Sequence, residues 1–372
     1  MVILKEEKME YRKLPRTGEE LSVIGMGTAY IGERPISEIV SVTEKALDYG
    51  INYFDLAAGH RPAIEGIGKA IRNRREDVFL QIHFGAEFTT GEYGWTTDLE
   101  KIKKAVSWVL EQTGGDYIDF GFIHCMDERS DFDDFVKNGV LDYMKQLKED
   151  GVIRHMALSS HTPATANAIM DEVDIDLLMF SINPAYDCKL GEYAHGNTDE
   201  RLDLYRRCEA EGIGISVMKP FCGGQLLDKE KSPFGEALTI NQCIQYALDK
   251  PGVLTVLPGF ATEEDLDVTM KYFEATEEEK DYSLLGKLTP LRGQDSCVYC
   301  RHCHPCPAGL DIALINKYYD LACLGDVMAE EHYRTLEKTA SDCISCGHCN
   351  FRCPFGVNQN ERMISIKNYF GC

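Results

Sequence analysis

Residues 151–163 read GVIRHMALSSHTP. Gly151 suits the left-handed turn that ends a helix, His155–Ser159 lies in an apolar run of strand length, and Thr162-Pro163 offers an N-cap followed by proline at the first helical position. The stretch therefore reads helix stop, strand, helix start. The same unit recurs on either side of it. Strands are expected at Ile24–Thr28, Tyr53–Ala57, Val78–Phe84, Phe120–His124, His155–Ser159, Leu177–Ile182, Ile213–Met218 and Leu254–Leu257, with 3.6-periodic helices between them and Gly50 and Gly212 closing two of those helices. A short hairpin precedes the first strand. Eight β/α units in residues 1–285 predict an α/β fold, a (β/α)8 TIM barrel, whose site lies at the C-terminal ends of the strands. Those ends carry Asp55, His83, His124, Ser159, Ser160, His161, Asn183 and Lys219, and so much ionisable chemistry at successive ends reads as a site.

From Gly286 onward the character of the chain changes. Residues 286–372 balance nine basic against nine acidic side chains and hold ten of the 15 cysteines. The whole net charge of −22 therefore belongs to residues 1–285. Two domains are expected, 1–285 and 286–372. The second carries two cysteine combs, Cys297-x2-Cys300-x2-Cys303-x2-Cys306-Pro307 and Cys343-x2-Cys346-x2-Cys349-x3-Cys353-Pro354. Three thiolates at such spacing can cap three corners of an iron–sulfur cube, while the fourth, stiffened by proline, reaches the neighbouring cube. The expected sets are Cys297, Cys300, Cys303 and Cys353 for one [4Fe–4S] cluster, and Cys343, Cys346, Cys349 and Cys306 for the other. Structural zinc usually draws paired cysteines from separate knuckles, a poor match to these combs. The tail is thus expected to be a small α+β ferredoxin-like iron–sulfur domain with a helical insert near residues 308–340.

A strongly acidic chain does not suit binding to nucleic acid or anionic membranes. With no 18-residue apolar run and no signal-peptide pattern, a cytoplasmic location is expected, and fifteen cysteines then mean metal or redox chemistry, not disulfides.

The segments RKLPRTGEELSVIGMGTA, INYFDLA, DYIDFGFIHCMD, GVIRHMALSSH, GIGISVMKPFCGG and VLPGFATEEDL, spanning residues 10–270, resemble the aldo-keto reductase family. The fused double comb resembles the branch of that family with a C-terminal two-cluster ferredoxin domain. The resemblance implies a (β/α)8 barrel, a nicotinamide across the strand ends and hydride transfer to or from a carbonyl or related group. It also implies a catalytic Asp, Tyr, Lys and His. Asp55 and His124 keep two of these, while His60 stands at the position of the Tyr and His83 at that of the Lys. The resemblance likewise implies nucleotide contacts from Lys219 and from the loop Pro258, Gly259 and Thr262, with Ser159, Ser160 and Asn183 beside them.

Three functional readings stay open at this point. In one, the chain is an iron–sulfur oxidoreductase in which His60, His83 and His124, with Asp55 as electrostatic partner, handle protons for a small carbonyl or hydroxyl substrate. A soluble electron carrier of ferredoxin or flavodoxin type then serves its clusters, in an anaerobic metabolism. In another, His60, His83 and His124 hold a divalent metal. In the third, the barrel is inactive and the chain is an electron-transfer subunit. Residues 258–268 contain no Lys or Arg but include Glu263, Glu264, Asp265 and Asp267, so NAD(H) suits the loop better than NADP, and a site without nicotinamide stays open.

Overall fold

A computed structural model describes residues 9–56, 61–87, 94–191, 193–288, 297, 299–323, 327–353 and 355–372. By compactness they fall into two units, one of residues 1–182, 213–220 and 254–275, the other of residues 183–212, 221–253 and 276–372.

The first unit opens with an antiparallel hairpin, Tyr11–Lys13 against Glu20–Ser22. Seven strands then form one sheet in chain order: Tyr53–Asp55, Phe79–Phe84, Ile118–Ile123, Ile153–Ser160, Leu177–Ser181, Gly214–Met218 and Val253–Val256. Neighbouring strands pair in parallel, with Asp55 beside Gln81, His83 beside Phe122 and Ser159 beside Met179. Residues 24–27 make the eighth member through single bridges in place of a ladder. Ile24 and Gly27 bridge Val256 and Gly259, and Met26 bridges Phe54, so this segment joins both edges of the sheet. The approach is close enough to require glycine: a Cβ on Gly25 would stand 2.7 Å from Leu257 Cδ2 and 2.9 Å from the Tyr53 carbonyl oxygen.

Strand side chains alternate across the sheet. One of the two resulting sets gathers Tyr53, Phe120, Phe122, Ala157, Leu177 and Met179 into a buried cluster that Leu14 and Leu21 join from the hairpin. Burying a side chain of this size contributes about 1.5–3 kcal/mol. His83 and His155 are stacked into this aromatic stratum, 4.9 Å from Phe122 and 5.0 Å from Phe120 between ring centres. The apolar layers thus carry polar rings in fixed planes.

The second unit is built from helices, including Thr198–Ala210, Ile240–Leu248, Ile312–Cys323 and Gln359–Phe370. Its centre holds a fully buried Arg201, whose Nε donates to Asp187 Oδ1 at 2.8 Å, with the Tyr205 and Tyr246 hydroxyls donating to the same carboxylate at 2.7 and 2.8 Å. Helix Thr198–Ala210 is tied to helix Ile312–Cys323 by Arg206–Asp320 at 2.9 Å and Lys317–Glu209 at 2.6 Å. Leu310, Ile315, Tyr333, Ile366 and Phe370 make an apolar core beyond residue 300, with Tyr333 stacked on Phe370 at 3.8 Å. An α+β tail was the expectation; among the described residues after 286 the elements are helices, joined by cysteine loops with left-handed Tyr299, Arg301 and Ser345. Such turning backbone does not extend into a β-ladder.

Candidate active site and cysteine cavities

The expected barrel residues Asp55, His83 and His124 come together. Asp55 ends its strand, while His83 points from the neighbouring strand on the same face as Gln81 two residues earlier. Gln81 Nε2 stands 3.2 Å from Asp55 Oδ1 and 2.7 Å from His83 Nε2, and the Tyr53 hydroxyl donates to Gln81 Oε1. A carboxylate only accepts, so the Gln81 atom facing Asp55 is the amide nitrogen. That donor at 2.7 Å leaves His83 Nε2 as an acceptor, with its proton on Nδ1. His83 Nδ1 lies 2.8 Å from His124 Nδ1, so the proton is donated there and His124 carries its own on Nε2. Asp55 Oδ1 is also 3.2 Å from His83 Nε2. Burial, reinforced by the charges of His83 and His161 and opposed by Asp127, holds the His124 pKa well below the usual imidazole value. Trp95 Nε1 donates to the His124 carbonyl at 3.2 Å. His60 lies outside the described residues.

A second group stands at the neighbouring strand ends. Asp127 accepts from the His161 backbone N–H at 2.6 Å and lies 2.9 Å from His161 Nδ1, while His161 Nε2 is 2.9 Å from Lys219 Nζ. Lys219 has a left-handed φ of 55°. Asp127, which opens an acidic run suited to a solvated loop, is instead bound into this row. Cys125 brings its thiol 3.9 Å from Asp127 Oδ2, and burial with that carboxylate pushes it up to about 12. Such a thiol is not activated as a nucleophile. Ser159 Oγ accepts from the Cys125 N–H at 2.7 Å, and Ser160 Oγ is 3.4 Å from Asp127 Oδ1. Asn183, in the other unit, caps helix Pro184–Asp187 by accepting from Tyr186 N–H at 2.9 Å. Sequence reasoning missed Gln81 and Asp127. Gln81 was detectable, since strand period two puts it on the face of His83.

In the loop 258–262, Thr262 caps helix Glu263–Met270 as the capping box predicts. The Asp265 carboxylate accepts from the Ala261 and Thr262 N–H groups at 3.0 and 2.9 Å, so a side-chain anion already sits on two of the amides a phosphate would seek. Glu263 and Asp267 pair with Lys45 at 3.4 and 2.7 Å. Gly259 faces Tyr30 so closely that a Cβ would be 2.3 Å from Tyr30 Cδ2. Pro258 stands at the Gly27 bridge, where its carbonyl accepts from Gly27 N–H at 3.1 Å.

The eight comb cysteines are all free thiols and sort into two cavities. Cys297, Cys300, Cys303 and Cys353 line one. Cys306, Cys343, Cys346 and Cys349 line the other. Each comb thus sends its last cysteine to the other comb's cavity. Backbone N–H groups aim at the sulfurs: Ser345 donates to Cys343 Sγ at 3.4 Å, and Tyr299 and His302 donate to Cys297 and Cys300. A tetrahedral zinc, with Zn–S of about 2.3 Å, needs sulfurs about 3.8 Å apart. Among the described residues the three-ligand group drawn within 4.8 Å is Cys125, Asp127 and His161, not any set of comb cysteines. Among the described residues no three comb thiols close to that spacing. Burial pushes Cys303 up to about 12 and Cys297 up to about 11, so a thiolate there needs a cation to hold it.

An eight-membered parallel ring with buried titratable side chains at its strand ends is the architecture of a TIM-barrel enzyme. Residues 23–237 match the Aldo/keto reductase family, and the chain belongs to that family of oxidoreductases. It is 27% identical over 248 residues, covering 65% of this chain and 74% of the relative, to YqkF, an uncharacterized oxidoreductase of Bacillus subtilis (strain 168). To an L-galactose dehydrogenase of Arabidopsis thaliana it is 23% identical over 236 residues, 60% of this chain and 68% of the relative. In fold it is similar to the holo form of an aldo-keto reductase from Bacillus halodurans, with TM-score 0.61, 22% identity, and coverage of 76% of this chain and 96% of the other. No helix among the described residues is long and apolar enough to cross a membrane.

Proposed function

We propose that this chain is an iron–sulfur oxidoreductase of aldo-keto reductase type, from the branch with a two-cluster ferredoxin-like domain in residues 286–372 after a barrel in residues 1–285. It reduces or oxidises a small carbonyl or hydroxyl substrate, and a soluble one-electron carrier exchanges electrons with the clusters. The observation that carries this reading is the crossed sorting of the comb cysteines into two cavities. Cys297, Cys300, Cys303 and Cys353 would hold one [4Fe–4S] cluster, and Cys306, Cys343, Cys346 and Cys349 the other. Bound clusters supply one-electron transfer.

In the barrel, histidines do the work of the usual Tyr and Lys. The His124 Nε2–H orients the substrate oxygen. A proton taken up at His83 Nε2, beside Asp55, loads the row. Release from His124 Nε2 then delivers one proton to the oxygen, the His83 Nδ1 proton shifts to His124 Nδ1, and both rings end neutral. Desolvated as it is, His124 releases such a proton readily. A divalent metal at the histidines is less well supported, because both ring nitrogens of His83 are committed within the chain. NAD(H) is the favoured nicotinamide, because Asp265 occupies amides of the loop and Glu263 and Asp267 would repel an added phosphate.

Elemental analysis of chain purified without oxygen tests the reading. About eight iron and eight sulfide per chain are expected; zinc in their place, or no metal, overturns it. Fluorescence titration should give tighter binding of NADH than NADPH, and equal curves would remove the loop argument.

A further inference from the structure

Gln359 opens helix Gln359–Phe370 and lines the cavity of Cys297, Cys300, Cys303 and Cys353. It is only 1% exposed, and its side chain is hydrogen-bonded to Cys297. A buried amide beside four sulfurs can face them with a donor or with an acceptor, and the surrounding chain fixes which. Asn316, fully buried on helix Ile312–Cys323, has its Nδ2 2.8 Å from Gln359 Oε1 and 2.7 Å from the Ile312 carbonyl oxygen. Its Oδ1 accepts from Arg362 Nε. A guanidinium only donates and a backbone carbonyl only accepts, so Asn316 has one allowed orientation. Its Nδ2 then donates to Gln359 Oε1, and the Gln359 amide nitrogen is the atom left for the cavity.

The far end of this row is held as firmly. Arg362 Nη2 lies 2.6 Å from Asp320 Oδ1, while Arg206 Nη2 and the Tyr299 hydroxyl hold Asp320 Oδ2 at 2.9 and 2.6 Å. Arg362, Asn316 and Gln359 therefore pass hydrogen bonds in one direction, from a guanidinium toward the cysteine sulfurs. Bonds linked in the same sense polarise one another.

We propose that Gln359 is a positioning residue whose Nε2–H, aimed by Asn316 and Arg362, donates to the Cys297 sulfur and raises the reduction potential of the cluster held by Cys297, Cys300, Cys303 and Cys353. The inference rests on the iron–sulfur reading above. Reduction of that cluster takes one electron from a low-potential one-electron donor, makes and breaks no bond, and leaves the sulfurs more negative. A hydrogen bond donated to sulfur strengthens as that charge grows, so it favours the reduced form.

The test is a dithionite titration of the full-length chain without oxygen, read by electron paramagnetic resonance, with iron and sulfide counted in each sample. Wild type should take up two electrons, and the altered signal of Cys353→Ser marks the step that belongs to this cluster. Gln359→Met keeps the volume and removes the donor. It should move the marked step to more negative potential and leave the other in place. Asn316→Asp leaves Gln359 intact but offers it a carboxylate, which only accepts, so the amide turns over and presents Oε1 to the cavity; the marked step should again become more negative. A merely structural role would lower iron content or move both steps together. Loaded clusters with the marked step unmoved in Gln359→Met, a shift to more positive potential, or equal movement of both steps overturns the proposal, as does failure of both variants to load iron. Absence of iron from the wild type instead overturns the iron–sulfur reading.

Discussion

The barrel site and the cysteine cavities bury reactive atoms in opposite ways. Around Asp55 the chain satisfies itself: Tyr53, Gln81, His83 and His124 hand hydrogen bonds along an unbroken row inside an aromatic core. Around the combs the protein supplies ligand atoms and a shaped space, yet buries thiols that burial alone would keep protonated. A self-satisfied network can be rigid as soon as the chain folds. A ligand shell reaches its final stability only when its core arrives.

This contrast can be broken by stripping the iron–sulfur clusters proposed above. Treating the chain with an iron chelator under oxidising conditions should cost residues 297–353 stability on the order of 10 kcal/mol, the scale structural metal contributes. Limited proteolysis should cut there while residues 9–182 stay protected, and uniform digestion of both would erase the distinction. A smaller effect is expected from His83→Phe, which keeps the stacking on Phe122 but strips Gln81 and His124 of a partner. Leaving two buried polar groups unsatisfied should cost about 3 kcal/mol in a denaturant melt, with turnover lost as well, and near-wild-type stability would mean that the row is not self-satisfied. The smallest effect concerns acid. His124 has its folded pKa depressed, so below about pH 6.5 the unfolded chain binds a proton that the folded chain refuses. Stability should therefore fall as pH drops through that value, by at most about 1.4 kcal/mol per pH unit. His124→Asn should flatten the slope between pH 6.5 and 5; an unchanged slope would assign the loss to other groups.

Much of this was legible in the sequence because the signals were local. Apolar runs of strand length between Gly stops and Thr-Pro starts gave the parallel strands, and Thr262 and Asp265 formed their box as spaced. The first ring member was harder to read correctly. Ile24–Thr28 looks like a strand, but Gly25 and Gly27 let it approach so closely that it makes bridges and no ladder. The combs gave their own cavities by spacing alone. What stayed hidden was non-local. Nothing in an acidic run shows that Asp127 turns back onto His161, 34 residues away. Nor does a position just past helix Ile240–Leu248 reveal that Lys250 will lie buried, 3.7 Å over the Tyr246 ring.

The exchange of Cys306 and Cys353 between the cavities has a consequence for how the tail is made. Each comb finishes the other's pocket, so the segment between them is closed like a buckle with two tongues. A chain ending at residue 340 forfeits three of the second pocket's four cysteines and Cys353 of the first, so neither pocket can be completed from the first comb alone.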